Sequence, residues 1–266
     1  KRQAMKQQLI SVITINYNNK NGLEETIKSV ISQTYSKLEY IIIDGGSSDE
    51  SVDIIKKYAN KINYWVSEPD KGIYNAMNKG VIQAHGEYCI FMNSGDCFHD
   101  QNVLCNVFSG IQNADIITGI TQLKTKPIQF WYPPKEISFK WFHIASLSHQ
   151  ASFIKTNLLI ENPYNENFKI VSDWAFFMQT LIINGCTYKP IQTIICIFDM
   201  GGISNTKSFE KERQLAFQQM FPTRILIDYQ KFIPANDLVE RYNKTSLLGQ
   251  KIILFITKLI SKFWRR

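Results

Sequence analysis

Three polar clusters and one histidine carry side chains of the kind that chemistry needs. Asp44-Gly45-Gly46-Ser47-Ser48-Asp49 closes an apolar run with a carboxylate and two glycines. Glycine permits close backbone approach to a ligand, and an aspartate there can accept hydrogen bonds from a base or a ribose hydroxyl. A plain capped turn would read the same way. Asn93-Ser94-Gly95-Asp96 follows a second apolar run. A carboxylate at such a point suits a hard divalent cation, which would offset the negative charge growing on a phosphate-rich leaving group. An Asx-type turn is the alternative. The third cluster, residues 68–80, places Asp70 at the positive end of a helix dipole and Lys71 where it can meet phosphate. Asn75 and Asn78 share one helical face, and buried amides at that spacing need polar partners. His149, just before another apolar run, is a candidate contact for donor or acceptor, or a satisfied structural histidine.

Stepping from these residues to the elements that must hold them, residues 9–16 read as a buried strand rich in β-branched side chains. Residues 23–33 carry Leu23, Ile27, Val30 and Ile31 at the spacing of an amphipathic helix. A strand over 38–43, a helix capped by Ser48 or Asp49, a strand over 62–66, a helix over 73–84 and a strand over 88–92 complete four alternations. Such alternation predicts parallel strands joined by right-handed crossovers, with helices on both faces. Ligands of open α/β sheets bind beyond the carboxyl ends of the strands, which is where the polar clusters fall. Further on, a strand over 115–120, an aromatic loop or lid over 126–142, a strand over 150–154, a helix over 173–183, a strand over 188–198 and a helix over 209–220 are expected.

Composition sets the outer bounds. The chain has 266 residues, 44% hydrophobic and 20% charged, enough for a sizeable core. The net charge is +7, but much of the excess is gathered near the C-terminus, and no dense basic run with interleaved aromatics crosses the middle. Nucleic acid is therefore not an expected partner. The five cysteines are odd in number, include no C-x-x-C, and mostly sit among apolar residues, as buried thiols in a reducing compartment would. No apolar signal region precedes the first strand, so a cytoplasmic location is expected.

The ordered run of motifs resembles the family 2 glycosyltransferases. It comprises Ile10–Asn18, Glu24–Thr34 and Ile43–Asp49, then Asp70–Gly80 and Asn93–Asp96, with patches at His149-Gln150, Val171-Ser172-Asp173-Trp174 and Gly201-Gly202-Ile203-Ser204. The later motifs are similar to the branch that builds bacterial capsule, exopolysaccharide and lipopolysaccharide, including colanic-acid type enzymes. The resemblance implies an α/β GT-A fold, a Rossmann-like open mixed sheet with helices on both faces. It implies a catalytic domain over 1–245, its nucleotide-sugar half at about 9–100 and its acceptor half at about 101–245. Thr14, Asn16, Asn18 and Asp44, with Gly45 and Ser47, would hold base and ribose. Asp70, Lys71, Asn75, Asn93, Ser94 and Gly95 would lie near the donor, and Asp96 would take Mn or Mg. Asp173 matches the family's general base, which implies a single displacement with inversion; an N-cap is the bland alternative. His149, Gln150, Trp174 and Ser204 are further candidate contacts to donor or acceptor. The family's D-x-D motif is only partly kept, since Asn93 and Gly95 stand where acids are usual.

Residues 246–266 form an expected basic amphipathic helix, apolar at Leu248, Ile252, Phe255, Ile256 and Leu259 and basic at Lys251, Lys258 and Lys262. Three internal lysines argue against a membrane span and for a helix lying on the inner membrane surface, or docked on protein, a second copy of the chain included. Expected partners are thus a nucleotide sugar, commonly a UDP-sugar, a glycan or lipid-linked acceptor, and the membrane surface. A dinucleotide dehydrogenase would need G-x-G-x-x-G after the first strand, which is missing. A catalytically degenerate glycosyltransferase-like subunit remains as an alternative, supported by the thinned acidic motif.

Overall fold

Strand β1 (Ile10–Asn16) is buried along its whole length, as a strand covered on both faces must be. It pairs in parallel with β2 (Leu38–Asp44) on one side and β4 (Tyr88–Phe91) on the other, and β3 (Tyr64–Ser67) extends the parallel set beyond β2. The computed structural model describes residues 7–202 and 209–228 of the chain. Helices α1 (Lys20–Ile31), α2 (Ser51–Lys57) and α3 (Ile73–Ile82) make the crossovers. Leu23, Ile27 and Ile55 join Ile10, Val12 and Ile42 in one core cluster. Ile13, pointing the other way, meets α3 at Gly80, where an added Cβ would stand 2.5 Å from its Cγ2. Both faces of the sheet are therefore covered. Each fully buried Leu or Ile contributes about 1.5–3 kcal/mol to holding these layers together.

The second half departs from the parallel pattern. Strand β8 (Ser152–Lys155) lies antiparallel beside β4, and β6 (Ile116–Leu123) antiparallel beside β8. Strand β9 (Tyr188–Phe198) runs parallel to β6, and β5 (Cys97–Phe98) antiparallel to β9. Among the described residues the sheet has nine strands, in the order β3-β2-β1-β4-β8-β6-β9-β5, with β7 (Gln129–Trp131) paired to β6. Short helices α4 (Val103–Val107), α5 (Phe139–Ile144), α6 (Thr156–Glu161) and α7 (Ser172–Phe177) fill the connections, and the longer α8 (Glu210–Met220) follows the last strand in sequence.

Three local expectations change. The stretch expected as a loop or lid over 126–142 holds β7 and the start of α5, whose Ser138 hydroxyl accepts from the Trp141 N–H at 3.1 Å. The helix expected over 173–183 is α-helical only to Phe177 and then widens into a π-helix, Met178–Ile183, where Asn184 N donates to Gln179 O. Neither Ser48 nor Asp49 is the N-cap of α2. That position is Glu50, at φ 69°, while Asp49 Oδ1 accepts from the Ser51 N–H and hydroxyl.

By its contacts the chain divides into two units, Lys1–Glu212 and Arg213–Arg266, and every residue of the site lies in the first. The expected boundary at 245 and the helix over 246–266 lie outside the described residues, as does Ser204. Among the described residues, no helix is long and apolar enough to cross a membrane.

Candidate active site

The carboxyl ends of β1 and β2 are tied together by Asp44. This carboxylate is fully buried, and four donors surround it. Oδ1 accepts from Asn16 Nδ2 at 2.7 Å and Ser47 Oγ at 2.6 Å; Oδ2 accepts from Ser47 N at 2.9 Å and Ser67 Oγ at 2.6 Å. Burial alone would raise its pKa, but the bonds from Ser47, Ser67 and Asn16 outweigh it and hold the group below the usual carboxylate range. Asp44 is thus placed as the organiser of this rim. Ser47 Oγ also accepts from Asn18 N, and Asn18 Oδ1 accepts from Ser48 N, which locks the two loops at 2.8 Å each. Gly45 leaves room for Asp70: a Cβ there would meet the Asp70 carboxylate at 2.5 Å. Asp70 Oδ1 in turn accepts from Gly72 N, one residue before α3 begins, so it shapes the approach to that helix without being its N-cap.

Some predicted contacts lie deeper than the rim. Thr14 is fully buried, its hydroxyl donating to Met92 O at 2.8 Å beside Tyr40. Trp174 is buried in the core, its indole N–H given to Phe142 O at 2.7 Å, so it joins α7 to α5 where a donor or acceptor contact was expected. Asn75 and Asn78 both donate to Glu166, at 2.9 and 3.0 Å, and Asn75 Oδ1 accepts from Lys71 N. The amide pair therefore clamps the loop before α7 onto α3, while the Lys71 side chain is exposed.

The hub of the site is the turn Asn93-Ser94-Gly95-Asp96, closed by Asp96 N donating to Asn93 O at 2.9 Å. Gly95 sits at φ 105°, a backbone that L side chains rarely adopt and that a type II turn requires at this position. Ser94 Oγ donates to Asn16 Oδ1 at 2.7 Å, reaching the rim that Asp44 organises. Asn93 Nδ2 donates to His149 Nε2 at 3.2 Å, and His149 Nδ1 donates to Asp173 Oδ2 at 3.0 Å. An amide nitrogen can only donate, so the ring hydrogen belongs on Nδ1. Asp173 lies in the first turn of α7, is only 16% exposed, and accepts on Oδ1 from the Tyr74 hydroxyl at 3.0 Å. Burial would raise its pKa; the hydrogen bonds from His149, Tyr74 and the Trp174 N–H win, and the carboxyl is held below the usual range. It is not the N-cap, which is Val171.

Asp96 behaves in the opposite way. Burial pushes it up to about 7, with the Asp199 carboxylate adding to the rise, against the Asp199 N–H, His149 and the Gln150 side chain. Asp199 donates its N–H to Asp96 Oδ1 at 2.9 Å, and its own carboxylate would lie 3.2 Å from a Cβ at Gly95. A buried acid reluctant to ionise, with a second carboxylate adding to that reluctance, fits a hard cation that would offset their charge. Among the described residues no group of three or more Cys, His, Asp or Glu gathers as a metal site, so remaining ligands would come from phosphate and water. The Asn93 Oδ1 atom beside them is buried without a hydrogen-bond partner among the described residues. Sequence reasoning missed Asp199, Tyr74 and Tyr17. Asp199 stands two residues before Gly201 of the Gly201-Gly202 patch, Tyr74 sits inside the third cluster, and Tyr17 stands 67% exposed between two candidate residues.

The family model for Glycosyl transferase family 2 matches residues 11–180. The chain belongs to that family. An uncharacterized glycosyltransferase of Mycobacterium tuberculosis is 31% identical over 211 residues, 74% of this chain and 77% of its own length. A PGL/p-HBAD biosynthesis glycosyltransferase of Mycobacterium bovis is 25% identical over 206 residues, 74% and 80% of the two chains. S. aureus TarS 1–349 in complex with UDP-GlcNAc is similar with a TM-score of 0.62 at 19% identity, over 75% of this chain and 61% of that one. The mannosyltransferase PcManGT of Pyrobaculum calidifontis, in complex with GDP-Man and Mn2+, gives 0.59 at 14%, over 97% and 84%. This chain spans 36% of the longer TarS structure. These likenesses establish the GT-A fold of this glycosyltransferase, a mixed open sheet with helices on both faces.

Proposed function

We propose that this glycosyltransferase moves a sugar from a UDP-sugar to a hydroxyl of a glycan or lipid-linked acceptor in bacterial surface polysaccharide synthesis. The anomeric configuration inverts in a single displacement. One observation carries the reading: the Asn93–Asp96 turn links the nucleotide rim through Ser94, the acid pair through Asp96, and the base through Asn93 and His149. Donor, charge compensation and proton acceptor then share one rigid frame.

In this reading Asn16, Asn18, Ser47 and Asp70, organised by Asp44, surround the nucleoside, and the exposed Tyr17 ring stacks on the base. Lys71 meets phosphate. Asp96, with Asp199, would hold Mn or Mg, and the ion would stabilise the charge developing on the leaving diphosphate. Asn93 Oδ1 accepts from a donor hydroxyl or amide. Asp173 takes the proton from the acceptor hydroxyl as its oxygen attacks. UDP is supported by the nucleotide held by TarS, and Mn by the ion in PcManGT. A surface-polysaccharide role rests on the motif pattern. Placement on the inner membrane face rests on the basic apolar-striped stretch over 246–266, and deleting it should release the protein from anionic vesicles.

The test is nucleoside diphosphate release from a panel of UDP- and GDP-sugars, with Mn, Mg or EDTA, for the wild type and Asp173→Asn. Turnover of one donor that needs the ion and falls at least about a hundredfold in Asp173→Asn is expected. Donor binding without turnover, unchanged by Asp173→Asn, would instead favour a degenerate binding subunit.

A further inference from the structure

We propose that Tyr74 and His149 are positioning residues that keep both oxygens of Asp173 hydrogen-bonded to them whether or not Asp173 holds the acceptor's proton. The inference rests on Asp173 being the base.

The Tyr74 hydroxyl lies 2.6 Å from Ile170 O and 3.0 Å from Asp173 Oδ1. A phenol has one hydrogen to give and lone pairs to receive with, so two acceptors compete for a single proton. While Asp173 is ionised, that hydrogen serves the carboxylate. During transfer the acceptor O–H bond breaks as its oxygen bonds the anomeric carbon, the bond from that carbon to the nucleoside diphosphate breaks with its electron pair, and the proton goes to Oδ1. The new carboxyl O–H can then donate to the Tyr74 oxygen, while the phenol hydrogen turns to Ile170 O, already in range. Tyr74 keeps its own hydrogen throughout, because burial and the neighbouring Asp173 hold its pKa well above the ordinary value.

His149 guards the other oxygen. Its Nδ1–H donates to Oδ2, and Asn93 Nδ2 at Nε2 fixes that tautomer. Oδ2 never changes role; only Oδ1 does. The titratable groups facing Asp173 are Tyr74 from α3, His149 from the 3-10 turn His149–Ala151, and Tyr164 from the loop before α7. The Tyr74 ring packs on Tyr164 at 5.5 Å, a contact that Phe would keep.

The experiment titrates protein carrying carbon-13 in its aspartate carboxyls, with the Asp173 resonance assigned by its loss in Asp173→Asn. Tyr74→Phe and His149→Ala each remove a donor to the ionised carboxylate, so the Asp173 midpoint moves upward in both, and His149→Asn, whose amide can sit where Nδ1 does, moves it back. In parallel, kcat for UDP release from UDP-N-acetylglucosamine falls about tenfold in Tyr74→Phe with the donor KM unchanged. An unmoved midpoint in folded Tyr74→Phe and His149→Ala overturns the proposal. If Asp173→Asn keeps full turnover, the base assignment falls and this proposal with it. If Asp173→Asn is inactive while Tyr74→Phe keeps the wild-type midpoint and kcat, only the positioning role falls.

Discussion

Replacing Asp96 by Asn should make the metal-free protein more stable, and increasingly so as pH rises. In the folded chain Asp96 is 4% exposed, and burial lifts its pKa to about 7, against an ordinary 3.8. The raised value belongs to an acid, so the folded state binds more protons than the unfolded state between those two points. Stability therefore falls as pH climbs from 3.8 towards 7, and is flat above. Asparagine is neutral throughout, and its amide oxygen still accepts the Asp199 N–H. Between pH 5 and pH 8 the wild type loses about two further units of protonation free energy, or about 3 kcal/mol at about 1.4 kcal/mol per unit. For a domain of this size that is a shift of roughly 6–12 °C in the thermal midpoint of the variant relative to wild type. The assay is a pair of thermal melts in EDTA at pH 5 and pH 8, repeated with excess Mn. Mn should raise the wild type at pH 8, by roughly 3 kcal/mol at a hundredfold excess over Kd, and leave Asp96→Asn almost unmoved. A midpoint difference that is the same at both pH values would refute the reasoning from burial, whatever the effect on activity.

Other changes probe the frame around that acid. Gly95→Ala forces a side chain into φ 105° and puts its Cβ 3.2 Å from the Asp199 carboxylate, so a loss of about 1–3 kcal/mol is expected in urea denaturation; equal stability would count against the turn geometry. Asp44→Asn leaves four donors facing an amide, at a cost of roughly 3 kcal/mol near neutral pH. Because the folded pKa of Asp44 is lowered, its contribution is present above the ordinary aspartate range and is lost as pH falls through the lowered value, so the gap between variant and wild type should close in acid. Tyr17→Ala, at an exposed site, should raise the donor KM about tenfold or more and leave the thermal midpoint in place, as loss of a base-stacking ring would.

The first hundred residues were legible because their signals are local. β-branched runs, apolar helical spacing and polar clusters at strand ends all report neighbours in sequence, and β1 to β4 lie within a residue or two of where they were expected. The second half was less so. Strand β9 reads clearly, but nothing in its residues says that it pairs with β6 and delivers Asp199 against Asp96, some hundred positions earlier. The same limit hid Tyr74, whose meaning depends on α7 packing against α3. Depth was also invisible: Thr14 and Trp174 belong to the right motifs, yet one points between strands and the other into the core. A motif gives the identity of a residue, whereas exposure is decided by the elements that cover it.

The thinned acidic motif then reads differently. An acid at Gly95 would be strained by its φ of 105°, and its Cβ would press to 3.2 Å from the Asp199 carboxylate. A second carboxylate, Asp199, stands beside Asp96 just past the end of β9. Asn93 is a sharper case. Its amide donates to His149 Nε2, which leaves the ring hydrogen on Nδ1 to serve Asp173. An aspartate at 93 would offer only acceptors, so the ring would either give its one hydrogen to Nε2 and turn a lone pair on Asp173, or carry hydrogen on both nitrogens and pair with both carboxylates, which makes Asp173 a weaker base. Asn93→Asp restores the more usual acidic pattern, and a motif-based argument expects it to improve metal-dependent turnover. The geometry expects the reverse, a fall of about tenfold or more in kcat with no gain in Mn affinity. Measured side by side with wild type, a faster Asn93→Asp would show that the missing acid is a loss of function; a slower one would show that the amide belongs to the base.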